Sequence, residues 1–462
     1  MAKFIPCSLC DSIVCYPGFY IEVIMKFYAI LDVHLLMDHR TSFRDKPTLE
    51  LMRALFILKL CSYDTFVNHS LQMMTTAEKI LGNRLFGLFM RPTFYNQFIA
   101  GDDRKSLAVT IGKLTKANIH PMIACMMEED LTASEQQQEQ KYNNNLYRII
   151  TCLELLSSMS KQACLQVKVT GIMSPKLVVK ICEKITDYET QKKLAILFAD
   201  ALKTGTLKKS SILNTLSDNE YLALERALMR FAQIGTASKI EGVRILIDSE
   251  FVSMNHTLNT IAMAMMIAYN NEKALIWCTI QCYLKSALDI ITELFNMAKE
   301  LKVCFGVKIV RGAYMEQERK LAKMNNYPDP INDTYLGTEE MYLRVVDFVL
   351  EQIKGSFKCT VVMATHNETA IRVILQKVID LELDFQSPQI NFAQLYGMSE
   401  QVTMPLAKSG VTVFKSIPYG TITETLPYLY RRATENRSII KGARKEREML
   451  WSELKDRMKL KF

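Results

Sequence analysis

Eight short runs of β-branched and apolar residues cross this chain, with helical patterns between most of them: Met122–Met127, Leu165–Thr170, Val243–Ile247, Ala274–Thr279, Cys304–Val310, Cys359–Met363, Gln389–Phe392 and Val411–Phe414. Strands that alternate with helices imply a parallel sheet, because each crossover must return over one face. Eight such units favour closure into a β/α barrel over an open sheet, and a barrel collects its chemistry at the C-terminal ends of its strands. Lys168, Asp248, Glu250, Gln281, Arg311, His366, Gln394 and Lys415 lie in or near those ends. The pattern points to an enzyme before any motif is considered.

The spacing of apolar residues predicts helices over Leu146–Ser160, Pro175–Ile185, Asn255–Tyr269, Lys285–Leu301, Thr338–Ile353, Glu368–Ile379, Ser399–Leu406 and Thr423–Asn436. Residues 1–115 read as a helical N-terminal region, with Leu49–Leu60 and Leu71–Leu81 at helical spacing, and residues 116–462 as the barrel. The polar stretch Ser134–Asn145 reads as a surface loop. Residues 171–242, between the second and third runs, must hold an insertion of several short helices. Ser217 and Glu220 form a capping box ahead of the clearest of these, Ser217–Phe231.

A chain of 462 residues, 49% hydrophobic and 23% charged, is an ordinary soluble globular composition. Much of the net charge of +8 sits in Arg431–Phe462, which holds eleven Lys/Arg against five Asp/Glu. This is either a basic surface for anionic lipid or nucleic acid, or a solvated helix face with i,i+4 pairs such as Arg444 with Glu448 and Glu453 with Arg457. The second reading is favoured, and no aromatics interleave the basic residues as a nucleic-acid groove requires. The twelve cysteines are mostly single and lie in apolar runs, as small buried hydrophobes in a reducing compartment. Cys7 and Cys10 form one C-x-x-C without a second pair at ligand spacing, so no metal site is expected. The apolar stretch Phe19–Met37 is interrupted by Glu22, Lys26 and Asp32 and does not qualify as a membrane span. Residues 1–20 lack the pattern of a mitochondrial transit peptide. Neither G-x-G-x-x-G nor a P-loop is present, which disfavours those phosphate cradles; a barrel can still hold a dinucleotide on its strand-end loops.

Four constellations could carry chemistry. In Tyr428-Leu-Tyr-Arg431-Arg432-Ala-Thr-Glu435-Asn436, two adjacent arginines lie about 100° apart on a helix and can converge on one carboxylate, or instead form a surface pair around Glu435. Lys308 precedes Arg311-Gly312-Ala313-Tyr314, where small residues permit close approach to a flat ligand; a salt-bridged core lysine is the more economical account of Lys308. Lys168 lies on the face opposite Val167 and Val169, as a Schiff-base nucleophile, a carboxylate anchor or an ion-pair residue. Asp248 and Glu250, two apart, are expected on one side of the third strand, as an acid–base pair or as partners of Arg431, Arg432 or Lys168. Beyond these, His366 is a ligand candidate, Asn367 a helix cap, and Gln281 either a contact to a heterocycle edge or a solvated loop amide.

The strings Val310-Arg-Gly-Ala-Tyr314, Ala364-Thr-His-Asn367, Leu395-Tyr-Gly-Met398 and Tyr428-Leu-Tyr-Arg-Arg432 with Glu435-Asn436 resemble the proline dehydrogenase family. The resemblance runs from about Val243 to Leu454 and is weaker over residues 40–170. It implies a distorted (β/α)8 TIM-type barrel that binds FAD, oxidises the ring C–N bond of proline and passes electrons to a membrane quinone. It further implies that Arg431, Arg432 and Lys168 hold the substrate carboxylate, that Tyr314 and Leu395 line its ring, and that Asp248 and Glu435 order the surrounding side chains. Lys308 would lie near the flavin N5, with Gln281, Thr365 and His366, and the stretch Arg311, Gly312 and Ala313, among the cofactor residues. Mitochondrial location, with peripheral membrane contact, is implied in the same way.

Two departures from the family pattern stand out. Ser416 occupies a place where proline-specific members carry tyrosine, and Asn436-Arg-Ser438 with Gly442-Ala-Arg444 resembles the hydroxyproline dehydrogenase branch. Serine opens space at the far edge of the substrate ring and offers a hydroxyl. The expected substrate is therefore trans-4-hydroxy-L-proline, with L-proline comparable or poorer. Ile123-Ala-Cys125 stands where relatives often carry an acid. The alternatives are a strictly proline-specific enzyme, a lysine-dependent barrel lyase using Lys168 or Lys308, and a non-catalytic barrel whose basic C-terminal helix binds lipid or a partner.

Overall fold

The computed structural model describes residues 38–125, 135–426, 428–430 and 440–459. Eight parallel strands close a barrel in sequence order. They are β1 (Ile119–Cys125), β2 (Cys164–Val167), β3 (Arg244–Ile247), β4 (Ile276–Gln281), β5 (Phe305–Val310), β6 (Cys359–Ala364), β7 (Ile390–Leu395) and β8 (Thr412–Tyr419), and β8 pairs back onto β1. Each expected run supplies a strand. β1 starts earlier than its pattern suggested, and Met126 and Met127 lie outside the described residues.

Alternation along the strands divides the apolar side chains into two sets. Met122, Cys164, Leu246, Trp277, Val362, Ala393 and Phe414 meet inside the barrel. Ile123, Leu165, Ile245, Cys278, Val307, Val361, Phe392 and Val413 face the helical layer. The interior is therefore packed rather than hollow. Trp277 takes up so much of it that a Cβ on Gly306 of β5 would come within 2.1 Å of the indole. Glycine is required there by close approach rather than by a turn.

Helix Asn255–Tyr269 has the predicted bounds, and Met263, Met265 and Met266 fill its buried faces. The other predicted helices shift by a few residues at their ends, and the last of them is described over 422–426 and 428–430. Two expectations need correction. The stretch Ser134–Asn145 is not a loop: helix Glu135–Met159 runs through it. Its polar residues have tertiary partners, with Glu139 and Asn143 accepting from Arg230 and Asn145 donating to Gly171 O at 2.8 Å. The insertion helices are also not all short: beside Pro175–Cys182 with 8 residues, Tyr188–Thr204 has 17 and Asp218–Glu241 has 24. The last is stopped at both ends, by the Ser217/Glu220 capping box and by left-handed Gly242, and between them it offers a stripe of Tyr221, Leu224, Leu228 and Phe231. Helix Met315–Asn325 was not anticipated.

The N-terminal helices Thr48–Leu60 and Asp64–Met90 pack, through Ile57, Val67, Met74 and Phe86, with Met398 and Leu426 of the segments that follow β7 and β8. Leu51 and Leu58 pack with Met449, Leu450 and Leu454 of helix Ile440–Lys459. Phe94, Tyr95 and Phe98 pack with Met398, Leu426 and Leu429, and Tyr95 Oη donates to Gly420 O at 2.6 Å. The i,i+4 pairs of the basic C-terminal helix form, Arg444 to Glu448 at 3.0 Å and Arg457 to Glu453 at 2.9 Å. Among the described residues no helix is long and apolar enough to cross a membrane.

Candidate functional site

A chain of polar side chains crosses the barrel interior near the C-terminal strand ends. Lys308, on the inner face of β5 and only 6% exposed, donates to Asp248 Oδ1 at 2.5 Å and to Gln166 Oε1 at 2.9 Å. Burying an ammonium is costly unless it is paired and hydrogen-bonded, and both conditions are met. Gln166 Nε2 in turn donates to Ser416 Oγ at 2.9 Å. Ser416 lies in register with Leu395 of β7 and Met122 of β1, half-buried at the barrel mouth. Gln166 was not singled out from the sequence, although a signal existed. The alternation that sets Lys168 opposite Val167 puts Gln166 on the same face as Lys168.

Among the described residues Asp248 pairs with Lys308, a partner not expected for it; the expected Arg431 and Arg432 lie outside the described residues. Asp248 directly follows β3, so its side chain reaches the interior where Lys308 arrives from β5. Asp248 and Glu250 do not act as a pair. β3 ends at Ile247, the two-residue alternation stops there, and Glu250 turns to accept from Thr170 N at 3.2 Å and Thr170 Oγ1 at 2.6 Å. Lys168 is not inside a strand either. β2 ends at Val167, and Lys168 is the half-buried N-cap of the turn Val169–Gly171.

A second cluster gathers at the ends of β5 and β6. Both forks of Arg311 engage Glu339, at 2.5 Å and 2.7 Å, while its remaining nitrogen donates to Thr365 Oγ1 at 2.5 Å. The guanidinium also stacks over Tyr342, 4.4 Å from the ring centroid. Asn367 caps helix Glu368–Asp380 by accepting from Ala370 N, as expected of it. His366 Nδ1 lies 2.8 Å from Ser399 Oγ. Gln281 is 3% exposed, which excludes the solvated loop amide. It donates to Ser249 Oγ at 3.0 Å and Glu250 O at 2.9 Å, and accepts from Ala313 N at 3.4 Å. Gly312 has φ +138°, and an added Cβ would fall 1.9 Å from the Tyr283 ring, so the close approach it permits within the fold is to that tyrosine. Glu339 carried no sequence signal: it sits within helix Tyr335–Lys354 and becomes special only through Arg311.

Tyr314 packs against Phe251 with ring centroids 4.6 Å apart, and Leu395 ends β7 on the inner face. Gln394 and Lys415 point the other way, into the helical layer. Gln394 pairs with Thr365 O and Thr403, and Lys415 with Glu400. Arg431, Arg432 and Glu435 lie outside the described residues, as do Cys7 and Cys10. The chain leading to the arginines is anchored, with Tyr428 and Leu429 buried.

Comparison with known proteins gives the family of the chain. Residues 107–445 match the family described as Proline dehydrogenase. The chain is 35% identical over 417 residues to hydroxyproline dehydrogenase of Xenopus laevis, covering 90% of this chain and 89% of that one. It is 31% identical over 428 residues to the Homo sapiens hydroxyproline dehydrogenase, covering 89% and 91%. To proline dehydrogenase 1, mitochondrial, of Homo sapiens it is 27% identical over 531 residues, covering 90% and 88%. Among solved structures, proline utilization A from Bdellovibrio bacteriovorus inactivated by N-propargylglycine superposes with a TM-score of 0.61 at 17% identity, over 92% of this chain and 42% of that one, a likeness of fold. The chain belongs to the proline dehydrogenase family of oxidoreductases.

Proposed function

We propose that this protein is an FAD-dependent dehydrogenase that oxidises the ring C–N bond of trans-4-hydroxy-L-proline, and less effectively or comparably L-proline, to a 1-pyrroline-5-carboxylate product. Its electrons pass to a quinone at a mitochondrial membrane surface. On this reading the catalytic barrel domain is residues 116–462 and the region before it, 1–115, is a separate N-terminal part, whose described helices begin at His39.

The side chains at the strand ends fit a flavin. Gln281 and Lys308 bring an amide and a fixed cation to the ends of β4 and β5, and Arg311, Thr365 and His366 bring donors suited to phosphate and heterocycle edges. When bound, FAD supplies the two-electron acceptor. The chain supplies position and charge. Arg431, Arg432 and Lys168 grip the carboxylate, Tyr314 and Leu395 bound the ring, and Asp248 holds Lys308 in place. The substrate gives up a hydride from carbon and a proton from nitrogen, and the lone pair that drives this requires the neutral amine. The lyase alternative gains nothing from Lys308, whose amine is engaged by Asp248 and Gln166 rather than presented to a carbonyl.

The observation that carries the substrate choice is Ser416, half-buried on the inner face of β8 beside Leu395. Its small side chain leaves room for a ring substituent and adds a polar atom at that edge. Purified protein is expected to be yellow and to bleach anaerobically on addition of trans-4-hydroxy-L-proline. A colourless protein that cannot be loaded with FAD ends the proposal. Ser416→Tyr is expected to shift the ratio of the two kcat/KM values toward proline by about tenfold, the scale of one lost hydrogen bond plus crowding. An unchanged ratio removes Ser416 from substrate selection.

A further inference from the structure

The hydrogen bonds around Gln166 have only one consistent polarity. An ammonium has three donors and no acceptor, so the Gln166 atom 2.9 Å from Lys308 Nζ must be the amide oxygen. That fixes the amide orientation, which geometry alone would leave open. The amide nitrogen then faces Ser416 Oγ at 2.9 Å, with Met122 O at 3.4 Å as a second acceptor. Ser416 Oγ must accept this bond, and its own proton is left for another partner. No described residue accepts from the Ser416 hydroxyl. Asp248 anchors the series by holding Lys308 at 2.5 Å, so the polarity starts from a fixed charge.

We infer that Gln166 is a positioning residue for substrate selection: it turns the Ser416 hydroxyl into a hydrogen-bond donor aimed at a ring oxygen of the substrate. This rests on the proposed imino-acid oxidation. A ring hydroxyl oxygen accepts such a bond, whereas a ring methylene leaves a half-buried donor unmatched. Ser416 alone, free to rotate, would offer no such preference. Gln166, Lys308 and Asp248 therefore belong to the specificity apparatus although Gln166 sits behind the residue that meets the ring.

The test uses the FAD-loaded full chain with Gln166→Glu and Gln166→Met, each alone and in a Ser416→Ala background, assayed on both imino acids. A glutamate accepts from both Lys308 and Ser416, so it draws the serine proton inward. Gln166→Glu is expected to lower the hydroxyproline-to-proline kcat/KM ratio by about tenfold, mainly through KM for hydroxyproline. Gln166→Met adds no charge; it frees the hydroxyl and leaves Lys308 held by Asp248 alone, so its ratio should fall by about two- to threefold. In the Ser416→Ala background both changes in ratio should disappear. The inference is overturned if Gln166→Glu leaves the ratio where it was, or if the same shift persists without the serine hydroxyl. Should Gln166→Glu fail to fold, Gln166→Met decides in the same way, an unmoved ratio being the adverse result. If the unaltered protein oxidises neither imino acid, the functional proposal falls and this inference with it. If it oxidises both and only the ratio is unmoved, the inference alone fails.

Discussion

Arg431→Met is expected to raise KM for the imino acid by about two to three and a half orders of magnitude if Arg431 holds the substrate carboxylate as proposed, because removing one partner of a desolvated charge pair costs about 3–5 kcal/mol and each 1.4 kcal/mol is a factor of ten. Methionine keeps the reach and apolar stem of arginine and loses only the fork, so the change isolates the charged contact. The position is one residue beyond a firmly held segment: Tyr428 and Leu429 are buried, and Leu429 packs in the same cluster as Phe98 and Met398. On the proposed grip the rate at saturation should fall too, since a carboxylate left to one guanidinium and Lys168 would orient the ring less well. Steady-state kinetics with a soluble quinone analogue separates the two effects. A KM within threefold of the unaltered protein's takes Arg431 out of the grip.

The barrel was legible because its signal is local. A strand buried on both faces must be apolar over four to eight residues, and the runs carry that requirement openly. Helix Asp218–Glu241 was half legible: its cap was visible in Ser217 and Glu220, but its length depended on partners outside it. The helix through Glu135–Met159 was missed because glutamines and asparagines look like a loop until Arg230 arrives from another helix to bind them. The site shows the same division. Ser416, Lys308 and Asp248 were found as residues, but their connection was not, because Lys308 meets Gln166 across 142 positions and Asp248 across 60. Alternation says that Gln166 and Lys168 share a face. It does not say that β2 ends between them and that Lys168 begins a turn.

Lys415→Met is expected to destabilise the fold by about 3 kcal/mol, the low end of the cost of breaking a buried ion pair, because Glu400 loses one of its two cations and keeps Lys46. Lys415 is 0% exposed and faces outward from β8, where its ammonium meets Glu400 Oε1 at 3.1 Å, Leu395 O at 3.2 Å and Met398 O at 2.6 Å. Glu400 also meets Lys46 at 3.0 Å, and Glu446 of the C-terminal helix accepts from the Ser399 and Glu400 backbone N–H groups. Burial opposes ionisation of Glu400, but Lys415 and Lys46 outweigh it and hold its carboxyl down at about 2 against an ordinary 4.5. A depressed carboxyl contributes stability that is present above its unfolded value and lost as pH falls toward its folded one. The gap in melting temperature between the unaltered protein and Lys415→Met should therefore be widest near neutrality and narrow as pH drops below 4.5. Adding Glu400→Gln to Lys415→Met should restore part of the loss at pH 7, since a neutral amide no longer needs the cation. The loop that Lys415 ties through Leu395 and Met398 begins at the inner face beside Ser416, so the same variant should lose activity before it unfolds. Thermal denaturation from pH 8 down to about 2.5 tests the argument. A Lys415→Met protein that melts with the unaltered one at pH 7 would show that this buried ion pair does not hold the rim of the site.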